Sequence, residues 1–422
     1  MTEKLAILGG PQAVTSTIPS YISIGQEEIG AANRVLKNGV LSAFHGSWSD
    51  KFYGGPEVQR LEEAWSKYFD VRFSVSMNSA TSGLISAVGA IGIGPGDEVI
   101  VSPFTMSASA SCVRVWGGTP VFADVDENLF TLDPKQIKKQ ITSRTKAIII
   151  VQLAGQAADM DEILSLAKEH KLFVIEDAAQ SPGARYGSKW VGAISDIGIF
   201  SLNCHKTIQC GEGGVCVTSN EDLAKKMQLI RNHGEAVVKD MDFRNQPEKI
   251  IGFNFRLGEI EAAIATEQLK KLDGLNKSRQ NIAKKLNQRL SGLEGLIIPK
   301  VGENRSHVYY TYMMKLKAIE PGITRHTIVK ALEAEGVECH EGYSSPLYLQ
   351  QLYQDTWEGK GKQNYSNGAC PVTEKLYEKE LFFHTYLYAD LEPMLDEICH
   401  AFEKVWANLP ALSKLSFKKQ DR

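Results

Sequence analysis

Between about Val71 and Val217 the chain repeats one motif: a short, continuous apolar run followed by an amphipathic stretch. The runs are "EVIVS" (98–102), "TPVFADV" (119–125), "AIIIVQL" (147–153), "LFVIEDA" (172–178), "IGIFSL" (197–202) and "GVCVT" (214–218). They are β-branched and lack the apolar–polar alternation of a strand with one wet face. Strands buried on both faces have this composition, and they occur in sheets covered by helices on either side. Among the intervening stretches, "ADMDEILSLAKEHK" (158–171) sets Met160, Ile163, Leu164 and Ala167 at three- and four-residue spacing, the stripe of a helix facing a core. The alternation predicts an α/β domain built on a mainly parallel sheet.

A chain of 422 residues is too long for one simple core, and the pattern changes near residue 257. From Leu257 to about Leu293 a long helical pattern, including "EIEAAIATEQLKKL", predicts a spine leaving the large domain. Beyond it "SHVYYTYMMKLKA" predicts a strand and "TRHTIVKALEAEG" a helix. "DLEPMLDEICHAFEKVWANL" predicts a closing helix capped by Asp390. The expected division is a large domain with an N-terminal arm over 1–265 and a smaller α+β domain over 266–422, ending in a mobile polar tail, "SKLSFKKQDR".

Charge and composition narrow the function classes. A net charge of −3, from 47 basic and 50 acidic residues, offers no footprint for nucleic acid or an anionic membrane. No stretch approaches the ~20 apolar residues of a membrane helix, and the apolar run Leu5–Leu8 is too short for a signal-peptide core. Seven cysteines, an odd number, predict free thiols in a reducing cytosol, so a soluble cytoplasmic protein is expected.

The stretch "SLNCHKTIQCGEGGVCV" (201–217) concentrates reactive residue types. Cys204, Cys210 and Cys216 recur every six residues. Zinc sites favour thiolates two to four apart with a second pair elsewhere, so these read as small apolar fillers. Cys204 and His205 are adjacent and, on an extended segment, face opposite ways, which disfavours a nucleophile pair. Lys206 follows a buried strand and precedes glycines that allow close backbone approach, at the strand's carboxyl end where open α/β sheets bind ligands. A lysine held there can form a Schiff base with an aldehyde. Asp177 ends another buried strand, and a buried carboxylate needs a cationic partner such as a protonated pyridine nitrogen; a helix cap or an arginine partner is the alternative. In "MNSATSGLISAV" (77–88) a helix opening at Thr81–Ser82 would offer free N–H groups to a phosphate, with Ser79 and Thr81 hydroxyls nearby; an ordinary N-cap reads the same way. "GIGPG" (92–96) precedes a strand instead of following one, which fails the dinucleotide-binding pattern.

With phosphate cup, acid and lysine in that order, the chain resembles the DegT/StrS sugar aminotransferases, a branch of the fold type I pyridoxal-phosphate enzymes. The resemblance runs from about Pro19 to Asn408 through "NSATSGL", "GIGPGDEVIVSPFT", "VIEDAAQSPGARY", "GSKWVGAISDIGIFSLNCHK", "GEGGV", "IRNHG" and "GFNFRLGEIEAAI". It implies an aspartate-aminotransferase-like fold: a seven-stranded, mainly parallel sheet between helices, plus the smaller α+β domain. It further implies that Lys206 bears pyridoxal 5'-phosphate and moves protons, that Asp177 pairs with the pyridine nitrogen, and that Gln180 sits by the ring hydroxyl. Ala80, Thr81 and Ser201 would hold the phosphate, and Asn254 would reach the phosphate of a neighbouring subunit, making a homodimer with shared sites. Where relatives place an aromatic residue stacked on the ring, this chain has Met106, with Phe104 two residues earlier. His205 beside the lysine is a departure from the family pattern and a candidate substrate contact.

The implied reaction takes an amino group from L-glutamate or L-glutamine, leaves the cofactor as pyridoxamine 5'-phosphate, and passes the amine to a keto-sugar or keto-cyclitol. Arg256 is a candidate for the donor carboxylate, against a surface ion pair. Tyr343 and His384, from aromatic-rich stretches of the small domain, are candidates for the acceptor, against a packed aromatic core. A dehydratase of the same family and a non-catalytic protein keeping the fold are the competing expectations.

Overall fold

The computed structural model describes residues 3–46, 49–234, 250–317, 319, 321–354, 366–384 and 389–415, with the backbone alone at 384 and 389–390. After helices α1 (Gln26–Asn38) and α2 (Pro56–Phe69), the large domain alternates strand and helix. The order is β1 (Phe73–Met77), α3 (Ala80–Ala90), β2 (Glu98–Val101), α4 (Ala108–Val115), β3 (Thr119–Phe122), α5 (Pro134–Gln140), β4 (Thr145–Val151), α6 (Met160–His170) and β5 (Phe173–Asp177). A two-residue hairpin, β6 (Arg185–Tyr186) and β7 (Lys189–Trp190), leads into β8 (Ile197–Ser201), β9 (Gly214–Thr218) and α7 (Glu221–Arg231).

Seven of these strands form one sheet in the order β1-β9-β8-β5-β4-β2-β3. β3, β2, β4, β5 and β8 pair in parallel, and β9 runs against both of its neighbours. Both faces are covered, which explains the unbroken apolar runs. In β4, Ile148 and Ile150 join Leu61 and Trp65 of α2 and Met160 and Ile163 of α6, while Ala147 and Ile149 face Leu84 and Val88 of α3 on the other side. Successive side chains of a strand point to opposite faces, so a strand between two cores turns apolar residues to both of them.

Five of the six apolar runs become strands with ends shifted by one to three residues, and "GVCVT" coincides with β9. β1 had no counterpart among those runs. Its sequence, "FSVSM", carries two serines that the fold buries with partners: Ser76 donates to Glu62 Oε1 at 2.8 Å, and Ser74 and Ser66 hydroxyls meet at 2.8 Å.

Helix α8 (Glu259–Leu290) is the predicted spine, 32 residues and roughly 48 Å long. Past it, β10 (Leu296–Ile297), β11 (Tyr312–Leu316), α9 (Arg325–Ala334), β12 (His340–Glu341), the short turns α10 (Gln351–Gln354) and α11 (Pro371–Lys375), β13 (Leu381–His384) and α12 (Leu395–Ala407) make a second unit. Its four strands form an antiparallel sheet in the order β10-β11-β13-β12. Asp390 does not cap the closing helix. It lies in a 3-10 turn, Ala389–Met394, and α12 starts after Met394 because Pro393 supplies no N–H and disfavours helix at the residue before it. The 265/266 division falls inside α8, and the N-terminal residues Leu5 and Val14 pack in the second core with Ile282, Leu332 and Phe402. The polar tail lies outside the described residues from 416 onward.

Candidate active site

The carboxyl ends of β5 and β8 and the start of α3 meet at one edge of the sheet. In the strand register Ser201 faces Gly214 and Gly214 faces Met77, so three segments converge on that glycine. A Cβ at Gly214 would lie 2.6 Å from the Ala80 nitrogen and 2.6 Å from the Ser79 carbonyl carbon, so the α3 terminus can seat here only against a residue without a side chain. The helix begins at Ala80 instead of Thr81–Ser82. Ser79 is its N-cap: its Oγ accepts the Ser82 N–H at 3.0 Å and its carbonyl accepts the Gly83 N–H at 3.1 Å. The N–H groups of Ala80 and Thr81 are left for an acceptor outside the helix, beside the buried Ser201.

Asp177 is buried at the end of β5. Its Oδ2 accepts the Ser109 hydroxyl at 2.7 Å and its Oδ1 the Ala179 N–H at 3.2 Å. Burial holds this carboxyl above the usual aspartate range, and the Ser109 bond, the Ala179 N–H and the charge of Lys206 pull against it. Lys206 is thus close enough to Asp177 for its charge to favour the carboxylate. The Lys206 ammonium lies 4.7 Å from the centroid of the Tyr310 ring, and its backbone N–H donates to Asn203 O at 2.9 Å. Gln180, also buried, accepts the Ala154 N–H at 2.8 Å and donates from its amide to the Tyr343 hydroxyl oxygen at 2.6 Å. Tyr343 packs edge-on to Phe104 and Phe383, the packed aromatic core weighed for it in the sequence. Burial, with Tyr310 and Asp177 nearby, raises its phenol pKa, so the hydroxyl stays protonated and can donate into the cleft.

Other sequence candidates fall elsewhere. Met106 is 63% exposed, whereas Phe104 is fully buried. His205 is exposed on the turn, its N–H held by Asn203 Oδ1 at 3.2 Å, and Cys204 beside it is exposed as well. Cys210 donates to the Glu212 carbonyl, and Cys216 sits in β9 against Gly83 of α3, where a Cβ would meet its sulfur at 2.9 Å. Among the described residues no cluster of three or more His, Cys, Asp and Glu could hold a metal. Arg256 donates to Asn254 Oδ1 at 2.8 Å and meets His233 Nε2 at 3.3 Å, while the Asn254 backbone bridges to Asn232. The His384 side chain lies outside the described residues. Ser109 and Tyr310 were not singled out from the sequence. Ser109 is one of several small residues in "SASAS", and Tyr310 is one of three tyrosines in "YYTY", so neither position stands out before folding.

The profile of the DegT/DnrJ/EryC1/StrS aminotransferase family matches residues 31–403. The chain belongs to this family. It is 37% identical over 315 residues to the GDP-perosamine synthase of Caulobacter vibrioides, covering 74% of this chain and 82% of that protein. It is 33% identical over 371 residues to the spore coat polysaccharide biosynthesis protein SpsC of Bacillus subtilis, covering 86% and 90%. The crystal structure of an aminotransferase from Psychrobacter cryohalolentis superposes with a TM-score of 0.82 at 31% identity, covering 93% of this chain and all of that one. As a DegT/StrS family member the protein is a pyridoxal-phosphate-dependent sugar aminotransferase, and its sheet is the fold type I architecture. Among the described residues no helix is long and apolar enough to cross a membrane. The residues suit the family's cofactor: a buried carboxylate within reach of a lysine's charge, a helix start with two N–H groups left over, and a glycine that keeps that corner clear.

Proposed function

We propose that the protein moves an amino group from L-glutamate, with L-glutamine as the alternative donor, to a keto-sugar or keto-cyclitol in the making of an aminosugar or aminocyclitol for an antibiotic or a surface glycan. The observation that carries this reading is the convergence on Gly214 of the end of β8, which leads to Lys206, and the open start of α3, with the Lys206 charge acting on the buried Asp177. Pyridoxal phosphate, when bound, supplies an electron sink that stabilises the carbanion left when a Cα proton departs. Ala80 and Thr81 N–H groups and Ser201 would hold its phosphate, Asp177 its pyridine nitrogen and Gln180 its ring hydroxyl. Lys206 would be joined to it at rest and, once released, would carry the proton between carbon atoms. That work requires the amine to be neutral for part of the cycle.

Ser109 and Ala179 fix the two oxygens of Asp177, so the acid cannot turn away from the ring it must keep protonated. Tyr343 holds Gln180 and keeps its own proton available to an acceptor in the cleft. Arg256 and Tyr343 are retained as substrate contacts. The reading includes a cytoplasmic homodimer in which Asn254 reaches the partner's phosphate. Met106 and Ile251 are exposed apolar side chains of the kind a second copy would cover.

The test is a stoichiometric assay on purified protein loaded with cofactor. Equal amounts of 2-oxoglutarate and amino-sugar from glutamate and a panel of keto-sugars are expected. A deoxysugar product without 2-oxoglutarate would replace this reading by a dehydratase, and a protein whose mass does not change on borohydride treatment with the cofactor would end it. Mixed dimers of Lys206→Ala and Asn254→Ala subunits are expected to recover activity that neither variant shows alone.

A further inference from the structure

We propose that Arg279 is a positioning residue for Lys206, acting through Tyr21 on one side and Tyr310 on the other; the inference rests on the reading of Lys206 as the cofactor-bearing amine. Arg279 lies on α8 and is 4% exposed. Its Nη1 donates to the carbonyls of Tyr309 and Tyr310, both at 3.4 Å, and its guanidinium lies 5.3 Å from the centroid of the Tyr21 ring. The Tyr21 hydroxyl in turn donates to the Thr207 carbonyl at 2.6 Å, the residue after Lys206. The Tyr310 ring receives the Lys206 ammonium at 4.7 Å. One guanidinium thus fixes both the backbone that bears the lysine and the aromatic surface on which its amine rests.

The surroundings make the Tyr310 side of this clamp stiff. Tyr309 has φ +49° and Ala154 φ +60°, a backbone region that side chains disfavour, and Gly155 has φ +112°. These residues interlock: Gly155 O accepts the Val308 N–H at 2.8 Å, and a Cβ on Gly155 would come within 2.9 Å of the Tyr309 and Tyr310 nitrogens. Backbone held in such conformations persists where neighbours over-determine it, and such sites cluster at function. The buried His307 stacks on Tyr309 at 4.0 Å and accepts its N–H at 2.8 Å. The lysine side is held from the same helix: Gln268 Oε1 accepts the Gln209 N–H at 3.2 Å. Gln268, Leu272, Asn276 and Arg279 follow at four-, four- and three-residue steps, so one buried face of α8 supports the Lys206 loop. A lysine stem has four flexible bonds, and fixing its direction is what a condensation with a bound aldehyde needs.

The test separates bond formation at Lys206 from binding in the cleft. Cofactor-free protein is mixed with pyridoxal 5'-phosphate, quenched with borohydride at timed intervals, and the Lys206 adduct is followed by mass. The amine condenses with the aldehyde with loss of water, and borohydride supplies the hydride that fixes the new bond. In parallel, affinity is measured for pyridoxine 5'-phosphate, whose alcohol cannot join the amine. Arg279→Met and Tyr310→Leu are expected to slow adduct formation by about tenfold or more while the pyridoxine phosphate affinity stays within about twofold. Tyr310→Phe keeps the ring and the rate; Tyr21→Phe, which loses only the Thr207 bond, slows it less than Arg279→Met; Arg279→Lys recovers part of the loss. Wild-type adduct rates in both Arg279→Met and Tyr310→Leu overturn the proposal, as do equal losses with the two probes, which mark a fold-wide role. If Arg279→Met does not fold, Tyr310→Leu and Tyr21→Phe decide the matter by the same criteria. A wild-type protein that takes up neither probe overturns the functional reading and this inference with it.

Discussion

Glu176 and Asp177 are adjacent carboxylates at the end of β5, and the strand turns them to opposite uses. Glu176 is fully buried and accepts from Gln152, the Gly192, Ile194 and Ser195 N–H groups and the Ser195 hydroxyl, which pins the turn before β8. Asp177 has two donors and faces Lys206. Its folded pKa stands above the unfolded value, so through that interval the folded chain keeps a proton the unfolded chain has lost, and stability falls as pH rises. Asp177→Asn is expected to abolish that slope in cofactor-free protein and to raise its melting temperature at neutral pH by a few degrees. The same change should lower the activity of the loaded enzyme by about 10²–10³-fold. Melting curves at several pH values and initial rates check both. The cysteines give a second expectation. Six are buried, with burial pushing Cys216 up to about 12 and Cys399 up to about 11, and Cys204 alone is exposed. A maleimide reagent on folded protein should label Cys204 with the others protected, as peptide mass mapping will show.

At the scale of elements, β9 meets the start of α3 at Gly214, the corner proposed to take the phosphate. Gly214→Ala would push its Cβ into the Ser79–Ala80 peptide, and overpacking of this kind costs about 1–3 kcal/mol. A lower melting temperature and a pyridoxal phosphate affinity weakened about tenfold or more are expected, by calorimetry. Gly274→Ala is the contrast: it lies inside α8 with open space around it, and a helix-interior alanine should stabilise by about 0.5–1 kcal/mol. The same scale shows where pattern reading succeeds. β4, β5 and β8 are legible because two cores demand apolar residues through the middle of each strand. β1 is not, because its serines are acceptable only through Glu62 and Ser66, which lie elsewhere in the chain. The polar face of α8 was legible as mixed character, but its contact with the Lys206 loop was not.

At the scale of the whole molecule, the first residues of the chain tie its ends and its site together. Glu335 accepts the Ala6 and Ala13 N–H groups and pairs with Lys404 at 2.9 Å, with both side chains buried; Lys404 also donates to Pro11 O. The arm then runs on to Tyr21 beside Lys206. Removing one member of a buried pair costs about 3–5 kcal/mol, and Glu335→Gln should lie toward the lower end because Glu3 remains 3.7 Å from Lys404. Denaturant unfolding measures it. An intact Lys206 loop in the folded variant would appear as unchanged cofactor uptake.

The sequence by itself determined the α/β architecture and the long spine, and it put Lys206 and Asp177 at the carboxyl ends of buried strands, because burial on two faces restricts residue type locally. Tertiary structure alone decided that Asp177 is oriented by Ser109, that Tyr310 receives Lys206, that Met106 is turned outward and that Arg279 of α8 bonds the Tyr309 and Tyr310 carbonyls. These are pairings between residues far apart in the chain, where a side chain's role depends on its neighbour in space and leaves no periodic trace along the sequence.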